Sequence, residues 1–320
     1  MSASGGHKAI LAAFLANTGI AVTKFIAWLV SGSASMLAEA VHSVADAGNQ
    51  LLLFVGGRKA RREADREHPF GYGRERYVYA FVVAIILFSL GGLFSIYEGV
   101  DKLRHPHELE NAWVPLTVLA IAIVLESFSL RTAVVESNKV RGTQTWVQFV
   151  RRAKAPELPV VLLEDIAALL GLVFALFGVG LTVITGNTVF DAIGTLMIGT
   201  LLIIVAIILG METKSLLVGE GANEADLGRI EKAIMAGPEA ERIIHMKTLY
   251  LGPDELLVAG KIGFHGDQSL QEVSTAVNVM EQRIREAVPE ARVIYLEPDI
   301  YVDPDLQAPP TDAIVIKGLE

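Results

Sequence analysis

Six runs of apolar residues, at approximately 9–30, 34–56, 77–101, 113–134, 158–184 and 189–210, constrain this 320-residue chain more than any other feature. A helix needs about 20 such residues to cross the hydrocarbon core of a bilayer, and each run is near or above that length. With 52% hydrophobic and 20% charged residues, the chain carries more apolar surface than soluble cores absorb. The expected architecture is therefore a membrane, all-α, six-helix transmembrane domain over residues 1–210.

The connections orient it. GGRKARREADREHPFGYGRERY holds Arg58, Lys59, Arg61, Arg62, Arg66, Arg74 and Arg76, and the segment after the fourth run holds Lys139, Arg141, Arg151, Arg152 and Lys154. SGSAS and TGNT have no base, and DKLRHPHELENA has only Lys102 and Arg104. The positive-inside rule places both termini in the cytoplasm, and the host is read as a plasma membrane of bacterial type. No cleavable signal is read, because the first run begins near Ile10 and is long enough to remain a span.

From Met211 the pattern becomes that of a small cytoplasmic domain, residues 211–305. EADLGRIEKAIMAG and SLQEVSTAVNVMEQRIREAV have helical periodicity, and RIIHMKTLYLG, ELLVAGKIGFH and ARVIYLEPD read as strands. The order αββαβ predicts an α+β layer domain of ferredoxin-like type. The Pro-containing tail 306–320 is expected to be mobile. Absence of cysteine removes disulfide and thiolate chemistry, and a net charge of −9 argues against nucleic acid as a partner.

The second run is too polar for lipid: AEAVHSVADAGNQ places Glu39, His42, Asp46 and Asn49 within it. At ~100° per residue, and with His42 at zero, Ser35 falls near about +20°, Glu39 near +60°, Asp46 near +40° and Asn49 near −20°. Such a stripe faces a bundle interior or an aqueous cavity. Helix packing accounts for Ser35 and Asn49, but an ionisable His–Asp pair four apart is costly at depth. It suits a divalent ion or a proton. The fifth run supplies Glu164 and Asp165 in ELPVVLLEDIAALLGL. Neighbours on a helix differ by ~100°, so one of the two is expected as a direct ligand. Glu126 in the fourth run is a candidate proton relay or inter-helix contact, and Asp191 a candidate N-cap of the sixth helix. His105 and His107 in RHPHE read as a solvated outer loop.

The acid-x-x-His-x-x-x-Asp of the second run, the following HPFGYGRERY, the six-run layout and the αββαβ domain together resemble the cation diffusion facilitator family, over about residues 8–300. The resemblance implies a homodimeric secondary transporter that exports a divalent metal ion in exchange for protons, with no resident cofactor. The resemblance implies a transport site of His42, Asp46 and Asp165, helped by Glu164 or Asn49. Where the family places a fifth-span histidine, this chain has Val161, and VVLLEDIAALLG resembles the branch of mitochondrial zinc-transporter-like proteins. One imidazole with carboxylates admits Zn²⁺, Mn²⁺, Fe²⁺ or Co²⁺, with zinc first because His42 is kept. A family loop site survives only as Asp65 and His68, with Tyr72 at the last ligand position, and a structural turn around His68-Pro69 weighs equally. Lys261 stands on a strand where a cytoplasmic metal site would need a donor, so that domain is expected to serve dimerisation. His245, His265, Glu297 and Asp299 are its remaining possible ligands. A metalloprotease reading lacks a His-Glu-x-x-His helix. A non-transporting metal-sensing or partner subunit with an incomplete site remains the alternative.

Overall fold

A computed structural model describes residues 18–106, 109 and 111–301. The start of the first apolar run, His107 and the tail 306–320 lie outside the described residues. The chain divides into two compact units between Val218 and Gly219, beyond the residue 210 at which hydropathy alone ends the membrane domain.

The first unit is helical. It comprises α1 (Thr18–Ser31), α2 (Ala34–Lys59), and α3 (Glu75–Ile86) running through a π-helical stretch (Leu87–Leu93) into α4 (Phe94–Arg104). Then come α5 (Trp113–Arg141), the short α6 (Trp146–Arg152), α7 (Glu157–Thr185) and α8 (Val189–Val218). Among the described residues, four rods are long and apolar enough to cross a membrane: Glu75–Arg104, Trp113–Arg141, Glu157–Thr185 and Val189–Val218. Phe128, Phe177 and Ile184 point outward at 62%, 66% and 81% exposure. That is where lipid, and not water, tolerates them. The chain is an integral membrane protein.

Lipid tails compete for apolar contacts as well as a neighbouring helix does, so bundle cohesion depends on close backbone approach and on polar contacts between helices. Helices α7 and α8 meet at Gly178 and Gly194, where an added Cβ on Gly178 would lie 2.8 Å from the Phe190 carbonyl oxygen and 3.3 Å from Gly194 Cα. The turn between α1 and α2 uses Gly32 at φ +63° and Ser33 as N-cap, its hydroxyl accepting from the Met36 N–H. Asp191 departs from the expectation of an N-cap for its own helix. Its carboxylate accepts from Ser33 Oγ at 2.9 Å and the Ala34 N–H at 2.9 Å, and from Ser35 Oγ. An acid on α8 thus satisfies orphan donors at the start of α2 and complements the positive end of that helix's dipole.

The second unit runs α9 (Glu224–Ile234), β1 (Arg242–Gly252), β2 (Glu255–Phe264), α10 (Leu270–Ala287), β3 (Ala291–Ile300). The sheet order is β1-β2-β3, with β1 antiparallel and β3 parallel to the central β2. Leu256, Val258 and Ile262, alternating along β2, pack with Ile230, Ile234, Met280 and Ile284 of the two helices in one core. The period of two is what turns that face inward. Ser269 and Glu272 close a capping box at the start of α10.

Gly178→Val is expected to destabilise the first unit by about 1–3 kcal/mol through overpacking against backbone. A melting midpoint in detergent that matches wild type would show that the helices can part at this crossing without cost.

Candidate metal site

The polar face of α2 is shared among its neighbours. At its N-terminal end, Ser35 bonds Asp191 and lies 3.1 Å from Thr195 Oγ1, both on α8. One turn on, Glu39 accepts from Lys24 Nζ of α1 at 2.8 Å, and the same ammonium donates to Ser43 Oγ at 2.8 Å. At the other end, Asn49 Nδ2 donates to Glu164 Oε1 of α7 at 2.6 Å. Between these anchors lie His42 and Asp46, with Nε2 and Oδ2 3.5 Å apart.

The Asp46 and Glu164 carboxyl groups are near neighbours across α2 and α7, close enough to act on each other electrostatically. Both ring nitrogens of His42, Oδ1 of Asp46 and Oδ1 of Asn49 are buried without a hydrogen-bond partner among the described residues. Buried polar atoms are ordinarily satisfied, so a run of exceptions on one helix face is a mark of a binding position.

The structure therefore brings His42, Asp46, Asn49 and Glu164 together. Asp165, the aspartate that the resemblance implies as the α7 ligand, instead points the other way and accepts from Ser129 Oγ of α5 at 3.0 Å, because helix neighbours differ by ~100° and Glu164 takes the face toward α2. Glu126, one turn before Ser129, is close enough to feel the charges of Asp165 and Lys24. Among the described residues, no three His, Asp or Glu side chains converge tightly enough to enclose a metal ion. Sequence reasoning passed over Lys24, which is 1% exposed. Its signal was a lone lysine in the middle of the first apolar run.

In the loop after α2, Asp65 accepts from the N–H groups of Glu67 and His68 and, at 2.7 Å, from the Tyr72 hydroxyl. The Tyr72 hydroxyl and the backbone donors hold its carboxyl below the usual range. His68 Nδ1 lies 3.7 Å from it, and the His68 ring lies against Tyr72 with centroids 4.3 Å apart. This carboxylate organises the turn, with its oxygens already engaged.

In the second unit, His245, Lys261 and Glu297 form a cross-strand row, lining a pocket of about 380 Å³. Lys261 Nζ bridges Glu297 at 3.2 Å and Asp299 at 2.9 Å. An ammonium thus stands between the carboxylates.

With this geometry in hand, comparison with known proteins gives the class. The cation efflux transmembrane domain matches residues 10–218, and the chain belongs to the cation efflux, or cation diffusion facilitator, family. It is 32% identical over 285 residues to the mitochondrial proton-coupled zinc antiporter SLC30A9 of Mus musculus, covering 84% of this chain and 50% of that protein. It is 30% identical over 267 residues to metal tolerance protein C4 of Arabidopsis thaliana, covering 83% and 58%. With the cation-efflux pump FieF of Shewanella oneidensis it shares 25% identity over 293 residues, 89% and 90% of the two chains. The chain spans about half the length of the first two.

The Lys261 bridge sets a pH expectation. Its carboxylate partners raise the Lys261 ammonium, and Lys261 lowers Asp299. A lowered Asp299 adds stability that is present above the ordinary aspartate range and lost as pH falls through its folded value. A raised Lys261 adds stability that is present below the ordinary lysine range and lost as pH rises through its folded value. Hydrogen-exchange protection of β3 amides, corrected for intrinsic rates, should therefore fall at both extremes in the full chain. In Lys261→Met the profile should flatten; an unchanged profile would remove the bridge as its cause.

Proposed function

We propose that this protein is a divalent metal efflux transporter that exchanges the ion for protons. The ion binds between α2 and α7 through His42, Asp46 and Glu164, with Asn49 beside them. The observation that carries the reading is the group of unpartnered atoms of His42, Asp46 and Asn49 beside Glu164, in otherwise apolar helices. Packing alone does not call for ionisable side chains there. Asp165, the carboxylate next to Glu164 on α7, enters the coordination when the helices rock between inward- and outward-facing states.

Metal ligands must be deprotonated carboxylate and neutral imidazole, so loading releases protons and protonation on the far side expels the ion. Zinc is the first candidate because of the imidazole, and Mn²⁺, Fe²⁺ and Co²⁺ suit the same mixed donors. The mouse and Shewanella relatives, a proton-coupled zinc antiporter and a cation-efflux pump by name, support both parts. Six spans are proposed, with α1 and α2 added to the four apolar rods and both termini cytoplasmic. The second unit is read as a ferredoxin-like dimerisation domain of a homodimer.

A second reading, a metal-sensing or partner subunit that does not transport, has one observation in its favour. Val161 stands where a second imidazole is usual, and no described trio of donors encloses an ion.

Purified protein in liposomes with an internal Zn²⁺ indicator decides between them. Wild type should move Zn²⁺ faster under a pH gradient. His42→Ala, Asp46→Ala and Glu164→Gln should each lose roughly a hundredfold or more, exceeding the effect of outer-shell changes. Asp165→Asn should lose less. Zn²⁺ flux indifferent to the gradient ends the exchange claim, equal flux in Asp46→Ala ends the site, and a silent wild type favours the partner reading.

A further inference from the structure

Burying a lysine ammonium is costly unless it is paired, and the transport reading does not use the one on α1. Lys24 is 1% exposed in α1, and its partners, Glu39 and Ser43, flank His42 on α2. Glu39 is itself 0% exposed. It uses only Oε2 on Lys24, and Oε1 has no hydrogen-bond partner among the described residues. That free oxygen faces α7, where an added Cβ on Gly171 would lie 2.8 Å from it. Gly171 is seven residues after Glu164 and so shares its face of α7. Glu39 thus sits in the α2–α7 seam, one turn beyond His42 on the side of Asp191.

We propose that Lys24 is a positioning residue that sets the charge met by the transported ion. Its ammonium cancels Glu39, so that this carboxylate neither joins the coordination nor holds the ion in the seam. The inference depends on the transport reading above. In a low-dielectric seam, one uncompensated unit charge about 10 Å from a dication changes its binding by roughly tenfold or more. A clasp that only held α1 to α2 would make both single replacements worse in the same direction. A charge balance predicts opposite ones.

The test is the full chain in liposomes, with Zn²⁺ as the probe and KM and kcat measured for Lys24→Met, Glu39→Gln, the double Lys24→Met/Glu39→Gln, and Lys24→Arg. Melting midpoints in detergent identify which variants are folded. Glu39→Gln leaves a lone ammonium and should raise KM about tenfold with little change in kcat. Lys24→Met leaves a lone carboxylate and should lower KM, with kcat falling as release slows. The double variant and Lys24→Arg should return to the wild-type KM. Any other pattern among folded variants overturns the inference, including a double that stays displaced or singles that move together. If both singles unfold, equilibrium Zn²⁺ affinity of the double decides, and a value displaced tenfold from wild type overturns it. Failure of the transport reading is distinguishable, because it appears as absent or Asp46-independent Zn²⁺ flux in the same assay.

Discussion

The first unit is organised by the cost of burying the polar face of α2 among apolar helices. A helix that carries Ser35, Glu39, His42, Asp46 and Asn49 on one stripe cannot present that stripe to hydrocarbon, so α2 is enclosed by partners that satisfy it. Asp191 of α8 takes the N-terminal end, Lys24 of α1 takes Glu39, and Glu164 of α7 takes Asn49. Each is a charged or amide contact made where water is absent, and each therefore fixes a helix position more firmly than apolar packing in lipid can. His42 and Asp46 are left in the middle with unsatisfied atoms. On the proposed reading, the same economy that positions the helices leaves the ion as the missing partner.

Close backbone approach supplies the rest of the cohesion. Glycines at the α7–α8 crossing let polypeptide meet polypeptide. The second unit is built by ordinary aqueous rules, with alternating side chains on β2 buried under two capped helices and a lysine–carboxylate bridge on the opposite face.

Much of this was legible in the chain. The apolar runs marked the long helices, and the helix and strand segments of the second unit fell where periodicity and turn residues put them, because local propensity and burial agree there. Helical period alone determines which residues of α2 share a face, and the five of the stripe are all buried. It did not reveal that the stripe is divided among different neighbours. At the start of the sixth apolar run, Asp191 reads as an N-cap of its own helix. The structure uses it to cap α2, a partner 157 residues away at Ala34. Lys24 went unnoticed because a single lysine in an apolar run has meaning only once its carboxylate is located.

What the sequence determined by itself is one-dimensional: the positions of the long apolar helices, which residues share a face, the order αββαβ, and the residue types able to hold a divalent cation. Those follow from transfer free energies and from the fixed geometry of helix and strand. The tertiary structure decided which of two adjacent acids, Glu164 or Asp165, turns toward α2, and which of the buried charges already has a partner. Rotation of one helix about its axis relative to its neighbours sets both, and that angle arises from packing many residues at once, at glycine crossings and buried ion pairs that no local stretch of sequence contains.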